Sequence, residues 1–342
     1  MQALVLNSSN HKGKEFKIRI GRISFNFFKL LTLGVFTLVI MIIIGCELSA
    51  LRKLTLVELV PSNVIAMLSV NWKKICNDYY LKRMANGEEI EKVLLELGIG
   101  NEKVLDVVVF SDGQNPPYGS SGIILNGLIN KRIVIERLKT QGWREETYKG
   151  YCIYLNPTNY DCVSSLKSDA IIIGTKMGVE AVIDVELNPK EGFSKKVPYD
   201  GLVARFGKHG YPISAVIAFP QVFQDMGDVA MELGSSLLDF AGLGPLGEVL
   251  GKIGFAQGLG FSVSRSGNLF PVELVALMKD ESSAKFISGS LNLLKGLTTI
   301  VPKGNMSQSE KEAMESLQSM SVTREGEILF IKMTMTEKDL MP

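Results

Sequence analysis

Two Ser-x-x-Lys pairs, Ser164 with Lys167 and Ser282 with Lys285, have the spacing at which a lysine on a helix can take a proton from a serine nucleophile, as in penicillin-binding enzymes. Neither has an S-D-N and K-T-G pair at a workable distance, and Ser164 falls in an expected strand or loop. Both pairs are therefore read as chance. Gly242-Leu-Gly244-Pro-Leu-Gly247 spells G-x-G-x-x-G. A dinucleotide site needs that motif directly after a strand, opening a helix whose free N–H groups face the pyrophosphate. Here it follows an amphipathic pattern, and Pro245 removes one N–H. The two histidines, His11 and His209, lie far apart, which argues against a histidine zinc site or a histidine base. Asp225 and Asp228 share a helix face at i, i+3 and belong with Glu232 and Asp239 to the outer face of an amphipathic helix. Asp106 and Asp112 belong to no metal-ligand set. No G-x-S-x-G, H-E-x-x-H, P-loop or C-x-x-C occurs. These residues predict a chain that is not an enzyme and that has no catalytic residues, cofactor or metal.

The four cysteines are Cys46, Cys76, Cys152 and Cys162, too few for a disulfide scaffold. Cys152 and Cys162 flank the turn YLNPTNYD. In an oxidising compartment they can pair across two strands, and two buried free thiols are the alternative. Lys+Arg total 37 against Asp+Glu 36, a net charge of +1. That balance gives no basic surplus for a nucleic-acid partner.

Charge is uneven at the N-terminus. Lys12, Lys14, Lys17, Arg19, Arg22 and Lys29 face a single acid, Glu15. Leu30–Cys46, LLTLGVFTLVIMIIIGC, follows as 17 residues without a charge. That length suits a short membrane span or a long signal-peptide core. The positive-inside tendency keeps residues 1–29 cytoplasmic and sends the rest out. The ending Ile43-Ile44-Gly45-Cys46 resembles a bacterial lipobox, with Gly45 at the cut and Cys46 as the acylated residue. An uncleaved membrane helix is the alternative. Either predicts a chain anchored in membrane lipid at the cell envelope, with its C-terminal part extracytoplasmic, periplasmic or on the surface.

The elements that would position any site alternate between short apolar runs rich in β-branched residues and stretches with a 3.6-residue period. Strands are expected at Val64–Val70, Val104–Phe110, Ser121–Gly127, Ala170–Thr175 and Ile213–Phe219. Helices are expected at Trp72–Met84, Glu88–Leu97 and Lys131–Thr140, and over the stretch after Asp280. Hairpins are expected at Lys149-Gly150, Ser266-Gly267 and Glu325-Gly326. Both halves then read β-α-β-β-α-β-β. The expected fold class is α+β, two tandem β-α-β-β-α-β-like units of ferredoxin type. Each would pack helices on one face of an antiparallel sheet, after an N-terminal membrane or signal helix. One continuous α+β domain is the alternative. The segments are a basic leader (1–29), an apolar segment (30–46), a tether (47–61), a first unit (62–195) and a second unit (196–342).

Several stretches together resemble a group of exported, lipoprotein-like bacterial proteins without established activity. They are LVPSNVIAMLSVN (Leu59–Asn71), VLDVVVFSDG (Val104–Gly113), ERLKTQGWREETYKGYCIY (Glu136–Tyr154) and AIIIGTKMGVEAVID (Ala170–Asp184). The likeness implies an architecture and an exported location only. The expected role is a non-enzymatic binding or structural module with an envelope protein as partner. The alternative is a carrier of a lipid or other apolar ligand, with the low-charge stretch Ile213–Val263 lining its cavity.

Overall fold

The computed structural model describes residues 54–114, 118–159, 161–207, 210–219, 256–298, 315 and 318–337. The chain divides after Lys53, and these residues belong to the unit Leu54–Pro342. The leader, the apolar segment with Gly45 and Cys46, and residues 47–53 of the expected tether lie outside them. Both histidines and the stretch holding Asp225, Asp228 and Gly242–Gly247 lie outside them too. Among the described residues no helix is long and apolar enough to cross a membrane.

The elements run β1 (Ala66–Val70), α1 (Trp72–Ile75), α2 (Tyr79–Met84), α3 (Gly87–Leu97), β2 (Val104–Ser111), β3 (Ser121–Gly127), α4 (Lys131–Thr140), β4 (Arg144–Tyr148), β5 (Tyr151–Leu155), β6 (Asp161–Ser165), β7 (Ile171–Thr175), α5 (Lys176–Leu187), α6 (Asp200–Phe206), β8 (Ile213–Ala218), β9 (Ala256–Val263), β10 (Leu269–Met278), α7 (Glu281–Thr298), β11 (Ser321–Glu325) and β12 (Ile328–Thr336). Helix starts are fixed by short polar side chains that accept from first-turn N–H groups. Asn71 serves Lys74, Asp78 serves Tyr80 and Leu81, Asn130 serves Arg132 and Ile133, and Thr175 serves Gly178. The β4–β5 turn places Lys149 and Gly150 both at positive φ (47° and 84°), the conformation a two-residue hairpin needs.

The strands form one 12-stranded sheet in the order β11-β12-β10-β9-β8-β1-β2-β3-β7-β6-β5-β4. This corrects the expectation of two tandem ferredoxin-like units. A ferredoxin-like unit needs parallel neighbours joined through a helix. Here every pairing is antiparallel, including β1 with β2, which are joined through three helices. The halves also share a sheet: β1 pairs with β8 from Ala66↔Ile217 to Val70↔Ile213. The α+β class holds; the division into separate sheets does not. Short apolar runs locate strands but do not choose their partners.

Helices cover both faces of the sheet, where each expected unit had helices on one face only, and a core lies on either side. The first gathers Trp72, Leu94, Leu138, Phe270 and Leu291, under α1–α4 and α7. The second gathers Leu59, Phe110, Ile172, Val182 and Phe206, under α5, α6 and the 3-10 turn Leu56–Leu59. Neighbouring strand residues divide between them, Val107 to the first and Val108 to the second. That alternation explains why the central strands are apolar throughout. β8 is buried at every position.

Candidate functional site

At one level of the sheet, six strands present polar residues in register: Ser69 on β1, Ser214 on β8, Ser262 on β9, Glu273 on β10, Lys332 on β12 and Ser321 on β11. Directly paired residues share a face. This is the face of the second core, because Met67, Val216 and Val275 lie two residues along from Ser69, Ser214 and Glu273.

The inner part of the row seats the end of α6. Ser214 and Ser262 are both buried, and Ser214 Oγ donates to the Phe206 carbonyl at 2.6 Å. That carbonyl belongs to the last turn of the helix, where no intrahelical donor remains. The Phe206 ring lies against Gly260 so closely that a Cβ there would stand 2.3 Å from two ring carbons. A side chain at position 260 would therefore displace α6 from the sheet.

The outer part of the row is a charged cluster. Arg205, one residue before Phe206, pairs with Glu273 Oε1 and stacks its guanidinium 5.0 Å from the Phe330 ring centroid. Tyr211 donates its hydroxyl to Glu273 Oε2 at 3.2 Å. Lys332 Nζ stands 3.7 Å from Oε1. The Glu273 side chain is 14% exposed, against 65% for Lys332. A carboxylate so nearly enclosed is tolerable because cations and a hydroxyl compensate it.

Beyond α6 this face opens. Leu269, Pro271, Lys332, Ser321 and Thr323 are exposed. A groove of about 370 Å³ results, lined by Tyr211, Ser264, Glu273, Ser319, Lys332 and Thr334 among others. It offers a fixed acceptor, an exposed ammonium and hydroxyls that both donate and accept, an arrangement suited to holding a polar ligand.

A second cluster closes the first core at the β9–β10 turn. Arg265 pairs with Asp78 at 2.7 Å and Glu337 at 2.9 Å. Its guanidinium lies 5.6 Å from the Tyr80 ring centroid and 5.4 Å from that of Phe270. Desolvation first, then the Glu337 carboxylate, pushes the Tyr80 hydroxyl above its usual range.

The residues singled out in the sequence do not converge. Cys152 lies on β5 and Cys162 on β6, where Leu155 pairs with Cys162 and Ile153 with Ser164. Cys152 is three residues from Leu155 along β5, an odd step, so the two sulfurs project from opposite faces. Both are free thiols, Cys152 exposed and Cys162 buried. The expected pairing is thus replaced by its alternative for Cys162 and by an exposed thiol for Cys152. Burial pushes the Cys162 thiol up to about 12. Desolvation, then the Glu145 carboxylate, raises that of Cys152. Neither has the lowered pKa of a reactive thiol.

Ser164 is buried and donates to the Cys152 carbonyl at 2.9 Å, while the Lys167 ammonium lies over the Tyr151 ring. Ser282 and Lys285 sit in the first turns of α7. Asp106 accepts from Asn71 Nδ2, and Asp112 accepts from the N–H groups of Gln114 and Ser120. Among the described residues no group of three His, Cys, Asp or Glu side chains is placed to hold a metal ion. The described parts of Ile213–Val263 are β8, Phe219 and β9, and within the two strands every residue but Gln257 is buried.

Sequence reading missed Arg205, Tyr211, Ser262, Glu273 and Lys332, which lie on separate segments. One signal was present. Glu273 is the only charge within LFPVELVALM, and Lys332 the only one within ILFIKMTMT.

No known protein family matches the chain, and no curated protein does. Three solved structures of TP0453 are similar to it. Crystal form I gives a TM-score of 0.44 at 10% identity, covering 84% of this chain and 96% of that one. Form III gives 0.45 at 12%, covering 84% and 96%. Form IV gives 0.45 at 12%, covering 82% and 92%.

Proposed function

We propose that this protein is a membrane-anchored cell-envelope module whose extracytoplasmic part binds a partner or ligand and performs no catalysis. The observation that carries the reading is the uncharged run Leu30–Cys46. It lies behind a basic leader and ends in Gly45-Cys46, shortly before the folded unit that begins at Leu54. Such a run partitions into a bilayer core, and the leader's cations favour its cytoplasmic side. Acylation at Cys46 would add further chains, which anchor stably when two or more are present. The open face over β9, β10 and β12 supports the binding role. Its charged residues hold one another in place, an order suited to recognition.

The test is fractionation of cells that express the full chain or Cys46→Ser, with fatty-acid labelling. The expected result is a labelled, membrane-bound wild type and an unlabelled, unprocessed variant. A wild-type chain found in the soluble fraction would overturn the anchor. A membrane-bound but unlabelled wild type would replace acylation with an uncleaved helix.

A further inference from the structure

We infer that the groove over β9, β10, β12 and β11 is a saccharide site, taking a neutral ligand whose neighbouring hydroxyls each donate and accept; this rests on the binding-module reading above.

The chemistry follows from which groups are held and which are exposed. Glu273 is held on one oxygen by Arg205 and on the other by Tyr211, so its carboxylate cannot swing aside. Oε2 carries one hydrogen bond among those described, and a carboxylate oxygen has capacity for about two. Lys332 stands directly opposite Glu273 in the β10–β12 register. Its Nζ is at 3.7 Å, long for a hydrogen bond and short enough for strong attraction. A fixed acceptor and an exposed donor therefore sit side by side. Two hydroxyls on adjacent carbons match that pair, one donating to Glu273 and the next accepting from Lys332. Around them Ser264, Ser321, Thr334 and Tyr211 supply further hydroxyls.

Other ligand classes fit less well. A carboxylate only accepts, and a carboxylate or a phosphate alike would bring negative charge against Glu273. Arg205 cannot offset this, because its guanidinium is turned onto Glu273 and stacked on Phe330. An ammonium would meet Lys332. A wholly apolar ligand would strip water from Glu273, Lys332 and the hydroxyls and return no hydrogen bonds, costing about 1–3 kcal/mol for each group left unsatisfied. Pro271 is exposed on the same side of the sheet as Glu273 and offers a C–H surface for the apolar face of a sugar ring. The volume of about 370 Å³ is near the lower end of small-molecule sites, roughly 300–1,000 Å³. It suits one or two sugar units.

The experiment uses the full chain in a polyoxyethylene detergent, which carries no sugar headgroup. Saturation-transfer NMR and calorimetry would be run with maltose, cellobiose and di-N-acetylchitobiose. Inorganic phosphate and dodecanoate serve as the anionic and apolar comparisons. The variants are Glu273→Gln, which keeps the shape, and Lys332→Met, at an exposed position where folding is not at stake. The expected result is that at least one disaccharide binds and that Lys332→Met weakens it about tenfold, the loss of one charge-assisted hydrogen bond. Glu273→Gln should weaken it at least as much. No binding by any of the disaccharides, or binding that both variants leave unchanged, would overturn the inference. Phosphate or dodecanoate binding that depends on Lys332 would overturn the saccharide class and leave the binding-module reading standing. Failure of all the ligands would overturn the saccharide site alone, because a protein partner also satisfies the binding-module reading.

Discussion

The Arg265 guanidinium stands 2.7 Å from the Asp78 carboxylate, and the two oxygens of Asp78 have different tasks. Oδ1 accepts from the N–H groups of Tyr80 and Leu81 and so starts α2. Oδ2 receives Arg265. A helix near the beginning of the folded unit is thereby tied to the turn between β9 and β10. Arg265→Ala removes this tie together with the stacking on Tyr80 and Phe270. The expected outcome is a lower urea midpoint, with Arg265→Lys only partly restoring it, because lysine lacks the planar guanidinium. Lys92→Ala is the control. Its pair with Glu89 is exposed on both sides, and the midpoint should stay in place.

Gly260→Ala tests the seating of α6. The added methyl meets the Phe206 ring, and overpacking of this kind costs about 1–3 kcal/mol. Chemical denaturation of Gly260→Ala should show that loss, and the double variant with Phe206→Leu should recover part of it. An unchanged midpoint in the single variant would show that α6 does not rest on β9 at this point.

Mild oxidation of the folded protein should leave Cys152 and Cys162 unlinked, since their sulfurs are on opposite faces of the sheet. A thiol reagent should label Cys152, which is exposed, and leave Cys162 unlabelled until the protein unfolds. Peptide mapping without reduction reads both outcomes. A Cys152–Cys162 cross-linked peptide from native protein would refute the β5–β6 register.

Burial of Cys162 makes stability fall at alkaline pH. The folded thiol titrates at about 12 instead of its ordinary 9.0, so above the ordinary value the unfolded chain loses a proton that the folded chain keeps. This contribution is therefore fully present below pH 9.0 and is lost as pH rises towards 12. It amounts to at most about 4 kcal/mol, at 1.36 kcal/mol per pH unit. Unfolding free energies at increasing alkaline pH should decline more steeply for the wild type than for Cys162→Ala.

Local structure was readable from the sequence to the degree that it depends on neighbours in the chain. Lys131–Thr140 and Ser121–Gly127 form the elements expected at those bounds, because an Asn cap and a short apolar run between turns are local signals. β6 reads in the sequence as either strand or loop: DCVSS has small polar residues where a strand is expected to be apolar, and its place between β5 and β7 settles it as a strand. The helix Trp72–Met84 is divided at Cys76–Asp78, where Asp78 starts a new helix. The joining of the halves through β1 and β8 was not readable, because pairing is a property of the whole chain. The row from Ser69 to Ser321 was hidden for the same reason. Each member looks ordinary in its own strand, and only the register aligns them.

The place of β1 also sets an order in time. Ala66 is made early, yet its partner Ile217 follows only after the whole first half has been synthesised. Until then β1 has one edge without its strand, an apolar template on which another chain can add. That edge stays open until β8 is made, and truncation after the first half is expected to yield an aggregating fragment instead of a smaller working protein.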